Sequence, residues 1–115
     1  MAVCGALGRM GLEVVKTVIG DAGLTPAGFA DVNGGGRGLA EATSGIVTLE
    51  KPVYGSLEQM LADTVPDVCV DFTHPDVVLN NVLTMIEAGV RPVVGTTGLS
   101  AGDLDTIRQA LEKRQ

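Results

Sequence analysis

The sequence of 115 residues contains no tryptophan, and only 3% of its residues are aromatic. Folds that anchor their cores on aromatic side chains, such as many β-sandwiches, are therefore disfavoured. Basic residues are scarce too, because 8 Lys and Arg stand against 14 Asp and Glu and leave a net charge of −6. A nucleic-acid binder needs a basic face for phosphate contacts, so we expect no nucleic-acid partner.

Long apolar runs and cysteine clusters are also missing. No apolar run approaches the ~18 residues of a membrane span, and no secretory leader opens the chain. We therefore expect a soluble cytoplasmic protein with no membrane partner. Cys4 and Cys69 lie far apart in apolar, strand-like runs. This spacing argues against a CxxC redox pair or a metal cluster and predicts two buried, reduced thiols.

Short apolar segments and segments of helical period alternate along the chain. The predicted strands are "AVCG" after Met1, "TPAGFAD" at 25–31, which ends in an acid, 52–54, 68–72, and "RPVVGTTG" at 91–98 with its turn. The predicted helices run from Gly8 to Gly20, from Leu57 to Asp63, from Pro75 to Gly89, and from Ser100 to the end, with one further helical turn in the glycine-rich loop after Asp31.

This alternation predicts βαβ units with right-handed crossovers, and therefore a doubly wound α/β domain with a parallel sheet and helices on both faces. The apolar run at 68–72 predicts a central strand. Ligands of such folds bind beyond the carboxyl ends of the strands.

Individual residues sharpen the helix predictions. Ser56 is a predicted N-cap, and Ser100 with Asp103 resembles a capping box. Pro75 suits the first position of its helix. The methionines at 10, 60 and 85 fall on apolar helix faces, where we expect them to fill the core.

The segment "AVCGALGRMGLEVVKTV" carries the main functional signal. Its glycines at 5, 8 and 11 lie between a strand and a helix, where bare backbone amides and a positive helix end can hold a diphosphate. We expect Gly5 to make the tight turn, Gly8 to let the phosphates approach, and Gly11 to let the helix lie on the sheet. The spacing is G-x-x-G-x-x-G, with Ala6 where the usual fingerprint has its first glycine.

Other polar residues extend this hypothesis. Asp31 ends the second strand twenty residues after Gly11, where an acid can accept hydrogen bonds from ribose hydroxyls. Arg9 and Arg37 could reach a ribose 2′-phosphate, which Asp31 would repel, so the choice of cofactor stays open. His74 is the single histidine. It lacks a carboxylate at a fixed near spacing, so we interpret it as an ordinary residue near a helix start.

Three motifs in order resemble one enzyme family. "GALGRMG" at 5–11, "VDFTHP" at 70–75 and "GVRPVVGTTGLS" at 89–100 are similar to the N-terminal half of 4-hydroxy-tetrahydrodipicolinate reductase, also called dihydrodipicolinate reductase, in its cyanobacterial form. The resemblance implies a Rossmann-like dinucleotide-binding domain over 1–115, truncated at both ends relative to the family. It also implies NADPH- or NADH-dependent reduction of a cyclic imine-type intermediate in lysine and diaminopimelate biosynthesis.

The resemblance also implies roles for individual residues. Asp31 is then the ribose ligand, and Val32 stands where many relatives have an Arg for the 2′-phosphate. Phe72 and Thr73 line the cofactor, and Gly95, Thr96 and Thr97 meet the nicotinamide amide. The implied pyrophosphate loop consists of Gly5, Ala6, Gly8, Arg9, Met10 and Gly11.

The family's catalytic half, with its paired histidines and Ser-Gly-Thr turn, does not occur in these 115 residues. We therefore expect no catalytic residue here, a dicarboxylate substrate bound only with that second domain, a homotetrameric parent, and an isolated chain that binds nucleotide weakly and does not turn over. In a photosynthetic eukaryote the compartment would be a plastid. A stand-alone nucleotide sensor and a coenzyme A-binding domain remain as alternatives.

Overall fold

A computed structural model describes residues 1–95 and 98–114, in which five strands and five helices alternate. The strands are β1 (Ala2–Cys4), β2 (Gly28–Ala30), β3 (Val53–Tyr54), β4 (Val68–Asp71) and β5 (Arg91–Val94). The helices are α1 (Arg9–Gly20), α2 (Leu39–Ala42), α3 (Leu57–Thr64), α4 (Val78–Glu87) and α5 (Ala101–Arg114).

The strands form a single parallel sheet in the order β3-β2-β1-β4-β5. The predicted doubly wound α/β architecture is therefore confirmed. The prediction that the 68–72 strand is central was wrong by one place, because the chain winds outwards from β1 to β2 and β3 and then returns to add β4 on the other side. β1 is the central strand, and the strand order reverses between β1 and β4.

Successive residues of each strand point to opposite faces of the sheet, so alternate residues pack in two core layers. Val3 and Phe29 pack against Val15 of α1 and Leu39 of α2 on one face of the sheet. Ala2, Cys4 and Cys69 pack on the other face against Met60 of α3 and Met85 of α4, so both of these methionines fill the core as predicted. Ile107 of α5 packs against α4 in a third cluster.

The predicted caps of two helices are confirmed. Ser56 Oγ accepts a hydrogen bond from the Gln59 amide at 3.1 Å and so caps α3. Ser100 and Asp103 exchange two bonds, since Ser100 Oγ accepts from the Asp103 amide at 3.1 Å and Asp103 Oδ2 accepts from the Ser100 amide at 3.0 Å. This is the reciprocal geometry of a capping box.

Two helix predictions were wrong. Pro75 does not occupy the first position of α4, because the His74 carbonyl accepts from the amides of Val77 and Val78 and encloses Pro75 in a turn before the helix. Met10 is 58% exposed. It lies in the exposed first turn of α1, where no core layer is available to it.

β5 forms one edge of the sheet. The amide of Arg91, at the start of β5, donates to the Asp67 carbonyl at 3.0 Å, and the amide of Gly95, just after β5, donates to the Asp71 carbonyl at 2.9 Å. The backbone nitrogens at positions 92 and 94 therefore face outwards, away from β4. Residue 92 is a proline and has no amide hydrogen. Val93 is 49% exposed on the face opposite α4.

In the part of the chain that the structure covers, no helix combines the length and the apolar character needed to cross a bilayer. Both cysteines are buried free thiols, as predicted. Burial, followed by the negative charge of Asp71, raises the pKa of Cys69 to about 12. The same two causes raise the pKa of the Cys4 thiol well above its ordinary value.

These thiols predict a loss of stability in alkaline solution. An unfolded thiol ionises near pH ~8.5, whereas the folded thiols stay protonated, so the unfolded chain holds fewer protons and the free energy of unfolding falls as the pH rises above that value. The slope is at most about 1.4 kcal/mol per pH unit for each thiol. Urea unfolding from pH 7 to 10.5 should therefore decline more steeply for the natural chain than for the variant with Cys4→Ala and Cys69→Ala. Equal slopes would contradict this account.

Candidate functional site

A cleft of about 530 Å³ lies at the carboxyl ends of β1, β2 and β4, where the strand order reverses. Four segments form its walls: the turn after β1, the loop after β2, the start of α3 and the turn after β4. Of the residues predicted for the site, Gly5, Gly8, Asp31, Phe72 and Thr73 line this cleft. This is the position at which open α/β sheets bind their ligands.

The turn after β1 is built on backbone contacts that exclude side chains. Gly5 has φ +81°, in the left-handed region, and a Cβ there would overlap the carbonyl group of Phe72. A Cβ on Gly11 would overlap the carbonyl oxygen of Gly5. Gly11 therefore lets α1 lie directly against the turn after β1. The spacing of the glycines had predicted a contact between α1 and the sheet at this position.

The amides of this turn fall into two groups. Those of Gly5 and Ala6 donate to the Ala30 carbonyl at 2.8 and 3.1 Å, and the Gly8 amide donates to Gly5 at 3.2 Å. The next three amides, in the first turn of α1, have no hydrogen-bond acceptor within residues 1–95 and 98–114. They belong to Arg9, Met10 and Gly11. The amides available to a ligand are therefore those of the helix start.

No side chain of the cap or the first turn neutralises the positive end of the α1 dipole. Gly8 is its N-cap and provides no side-chain bond, and its first turn contains no acidic residue. Aligned peptide dipoles leave about half a positive charge at such an end. A Cβ on Gly8 would meet only the Gly5 oxygen, at an ordinary 3.5 Å, so the space over Gly8 is open. This end of α1 has the properties of a phosphate-binding site.

Asp31 connects the loop after β2 to the turn after β1. Its Oδ2 accepts from the Leu7 amide and its Oδ1 from the Asn33 amide, both at 2.9 Å. Each carboxylate oxygen has a second lone pair, so both remain able to accept from a ligand hydroxyl. The hydrogen bonds fix the carboxylate at the edge of the cleft.

The turn after β4 is held by a buried acid. Asp71 is fully buried at the end of β4, where its Oδ1 accepts from the amide and the hydroxyl of Thr73 and its Oδ2 accepts from Asn81 Nδ2 at 3.0 Å. A carboxylate only accepts hydrogen bonds, which fixes the orientation of the Asn81 amide. This network ties the Phe72–Thr73 wall of the cleft to α4.

The remaining predicted residues lie around the cleft. Ala6 and Gly11 are buried, Arg9, Met10 and Gly95 are exposed, and none of the five lines the cleft. A Cβ on Gly95 would overlap the Phe72 ring, so this glycine borders the wall. Thr96 and Thr97 lie outside the described residues.

Arg37 and His74 lie in different positions relative to the cleft. Arg37 Nη2 donates to the Asn33 carbonyl at 2.7 Å, which places this guanidinium on the loop after β2. His74 lines the cleft with an exposed ring whose Nδ1 is 3.4 Å from Asp76 Oδ2. That carboxylate lies two residues away and is itself exposed, so the pair is a surface contact.

Sequence reasoning missed Asp71, Asn81 and Glu58, all of which lie at or beside the cleft. Asp71 carried a usable signal, because an acid closing an apolar strand is seldom buried without partners. Asn81 and Glu58 sit on helices among other polar residues and gave no comparable signal.

Comparison with known proteins decides the family. A family model described as "Dihydrodipicolinate reductase, N-terminus" matches residues 1–115. The chain belongs to the dihydrodipicolinate reductase family. Dihydrodipicolinate reductases use NAD(P)H, and the match is to their N-terminal, nucleotide-binding domain.

Curated relatives agree with this assignment. The chain is 39% identical over 115 residues to the 4-hydroxy-tetrahydrodipicolinate reductase of Listeria welshimeri, and 40% identical over 119 residues to that of the cyanobacterium Mastigocladus laminosus. These alignments cover 100% and 96% of this chain, and 43% of each relative. The chain thus spans less than half the length of the dihydrodipicolinate reductases that it matches.

Solved structures agree as well. A dihydrodipicolinate reductase from Paenisporosarcina sp., described as bound to dipicolinate, superimposes with a TM-score of 0.81 at 31% identity, over 98% of this chain and 43% of that one. A myo-inositol 2-dehydrogenase from Lactobacillus plantarum gives a TM-score of 0.74 at 12% identity, over 98% of this chain and 32% of that one. The second likeness shows the fold alone.

The contact under α1 predicts a large effect of one methyl group. Gly11→Ala should lower the free energy of unfolding by about 2 kcal/mol or more, because the new Cβ meets a backbone carbonyl that cannot rotate away. Gly20→Ala on the same helix is the matched control, since nothing lies within 4 Å of its Cβ position. Urea unfolding of both variants measures the difference. Equal stabilities would show that α1 lies farther from the turn.

Proposed function

We propose that this chain is the NAD(P)H-binding domain of a 4-hydroxy-tetrahydrodipicolinate reductase, an enzyme that reduces a cyclic imine-type intermediate in lysine and diaminopimelate biosynthesis. The observation that carries the proposal is the start of α1, with three amides that have no acceptor in the described chain, no side-chain cap and no acidic residue in its first turn. A bound NAD(P)H would supply the hydride.

The residues present fit a dinucleotide. The amides of Arg9, Met10 and Gly11 can donate to the pyrophosphate, and the open space over Gly8 lets the phosphates approach the backbone. Asp31 lies at the end of the neighbouring strand with its carboxylate fixed by two amides, so it can accept from the adenosine ribose hydroxyls.

The other half of the dinucleotide would extend along the turn after β4. Phe72 and Thr73 form that wall. Thr73 is bonded to Asp71, the Phe72 amide donates to the Cys4 carbonyl at 2.9 Å, and Gly95 packs beside the Phe72 ring. A fixed wall orients the nicotinamide without losing conformational entropy on binding. The predicted contacts of Thr96 and Thr97 with the nicotinamide amide belong to the same proposal.

Chemistry on the substrate requires groups from elsewhere. None of the residues that line the cleft forms a pair of acid and oriented base, and His74 is exposed. In this proposal the catalytic acid and the dicarboxylate-binding residues belong to the part of the enzyme that these 115 residues do not include, as does tetramer formation. We place the enzyme in the cytoplasm.

Gly8→Ala tests the phosphate site without disturbing the fold. Gly8 has φ −74° and ψ 168°, which alanine adopts freely, and its Cβ meets only an ordinary contact. The stability of the variant should stay within about 0.5 kcal/mol of the natural chain. Its affinity for NADH and NADPH should fall about tenfold or more, because the methyl group fills the space that the phosphates need. Isothermal titration calorimetry measures the affinities.

Gly20→Ala is the control, because it adds the same methyl group at the far end of α1. Its nucleotide affinity should equal that of the natural chain. Coenzyme A serves as the competing ligand in the same titrations. If coenzyme A binds while NADH and NADPH give no heat, the proposal is wrong and a coenzyme A-binding domain takes its place. Imine reduction by the 115-residue chain alone would contradict the assignment of catalysis to another domain.

A further inference from the structure

The charge on the cleft walls is uneven. Two carboxylates, Asp31 and Glu58, are among the residues that line the cleft, and no lysine or arginine is part of that described lining. Asp31 ends β2, and Glu58 lies in the first turn of α3, which follows the adjacent strand β3. The two acids therefore approach the same region of the cleft from neighbouring strand ends.

Both carboxylates are held in place. Asp31 is fixed by the amides of Leu7 and Asn33. Glu58 Oε2 accepts a hydrogen bond from the Ser56 hydroxyl at 3.1 Å, and Ser56 is itself fixed as the N-cap of α3. Burial, followed by the negative charge of Asp71, is the main cause of the raised pKa of the Cys4 thiol at the base of the cleft, and the charges of Asp31 and Glu58 raise it further. Asp31 and Glu58 line the same cleft.

The cations nearby do not balance these charges from within. Arg9 is exposed, Arg37 contacts the Asn33 carbonyl through Nη2, and neither lines the cleft. Val32 follows Asp31 and is 86% exposed, so the side chain after the acid is a hydrocarbon that can neither donate a hydrogen bond nor carry charge. The cleft beside Asp31 is therefore suited to hydroxyl donors.

We propose that Glu58 is a specificity-determining residue that acts with Asp31 to select a dinucleotide with a free ribose 2′-hydroxyl over one with a 2′-phosphate. This inference rests on the proposed function, because it takes the cleft to hold the adenosine ribose beside Asp31. A 2′-phosphate carries a charge of about −1.5 to −2 at pH 7 and offers only acceptors, whereas a hydroxyl donates to a carboxylate. Two fixed acids therefore repel NADPH more than NADH.

The test measures the dissociation constants of NADH and NADPH for the natural chain by calorimetry, at low salt and at 0.3 M salt. The electrostatic screening length is about 30 Å at the low salt concentration and about 6 Å at the high one. NADH should bind about tenfold more tightly at low salt, and salt should reduce this preference, because the repulsion crosses solvent. Glu58→Gln should lower the ratio of the NADPH dissociation constant to the NADH dissociation constant about threefold, since one of the two negative charges is removed.

Glu112→Gln is the matched control. Glu112 is an exposed residue of α5 that does not line the cleft, and the substitution changes the net charge equally. It should leave the ratio unchanged. The inference is overturned if NADPH binds as tightly as NADH, or if Glu58→Gln and Glu112→Gln have equal effects.

ADP-ribose and its 2′-phosphate separate this inference from the proposed function. If neither nicotinamide nucleotide binds but ADP-ribose still binds more tightly than its 2′-phosphate, the proposed function fails and the selection by Glu58 and Asp31 stands. If the nicotinamide nucleotides bind with no preference, the reverse holds. If none of the four ligands binds, both are wrong.

Discussion

The close approach of three backbone segments around Gly5 is the constraint on which this domain depends. The Gly5 carbonyl lies directly under Gly11 of α1, and the Gly5 Cα lies against the Phe72 carbonyl of the turn after β4. Because no side chain separates these segments, α1 has one possible position relative to the sheet. That position brings its first turn, with three amides that lack an acceptor in the described chain, to the crevice between β1 and β4.

Polar groups at this edge of the sheet are arranged around carboxylates. Asp31 joins two loops through backbone amides, and Asp71 joins the turn after β4 to α4. A buried carboxylate is tolerated only where several donors replace its hydration, and the amide and hydroxyl of Thr73 and the amide group of Asn81 are such donors. Burial, followed by the negative charge of Asp71, raises the pKa of both cysteine thiols, which keeps Cys4 at the base of the cleft in its protonated, less reactive form.

Much of this structure could be predicted from the sequence, because it depends on local rules. The strand and helix alternation, the Ser56 cap and the Ser100–Asp103 box follow from residues within a few positions of each other. Predicting the position of the cleft required a further rule, namely that glycines and an acid at strand ends meet at one edge of a parallel sheet. The remaining features follow no such rule. The turn around Pro75 and the partners of Asp71 are contacts within ten residues that fit no capping or periodic pattern, and the exposure of Met10 depends on how α1 lies on the sheet.

The outer edge of β5 has a consequence for how copies of this domain meet. An exposed strand edge normally offers a regular row of donors and acceptors to any other extended chain. Here the outward-facing position 92 is a proline, so the row has a gap at a place where the pairing with β4 needs no donor. A foreign strand would find its hydrogen-bond ladder interrupted within its first residues. The proline ring at position 92 thus disfavours edge-to-edge association of sheets and removes no hydrogen bond between β4 and β5.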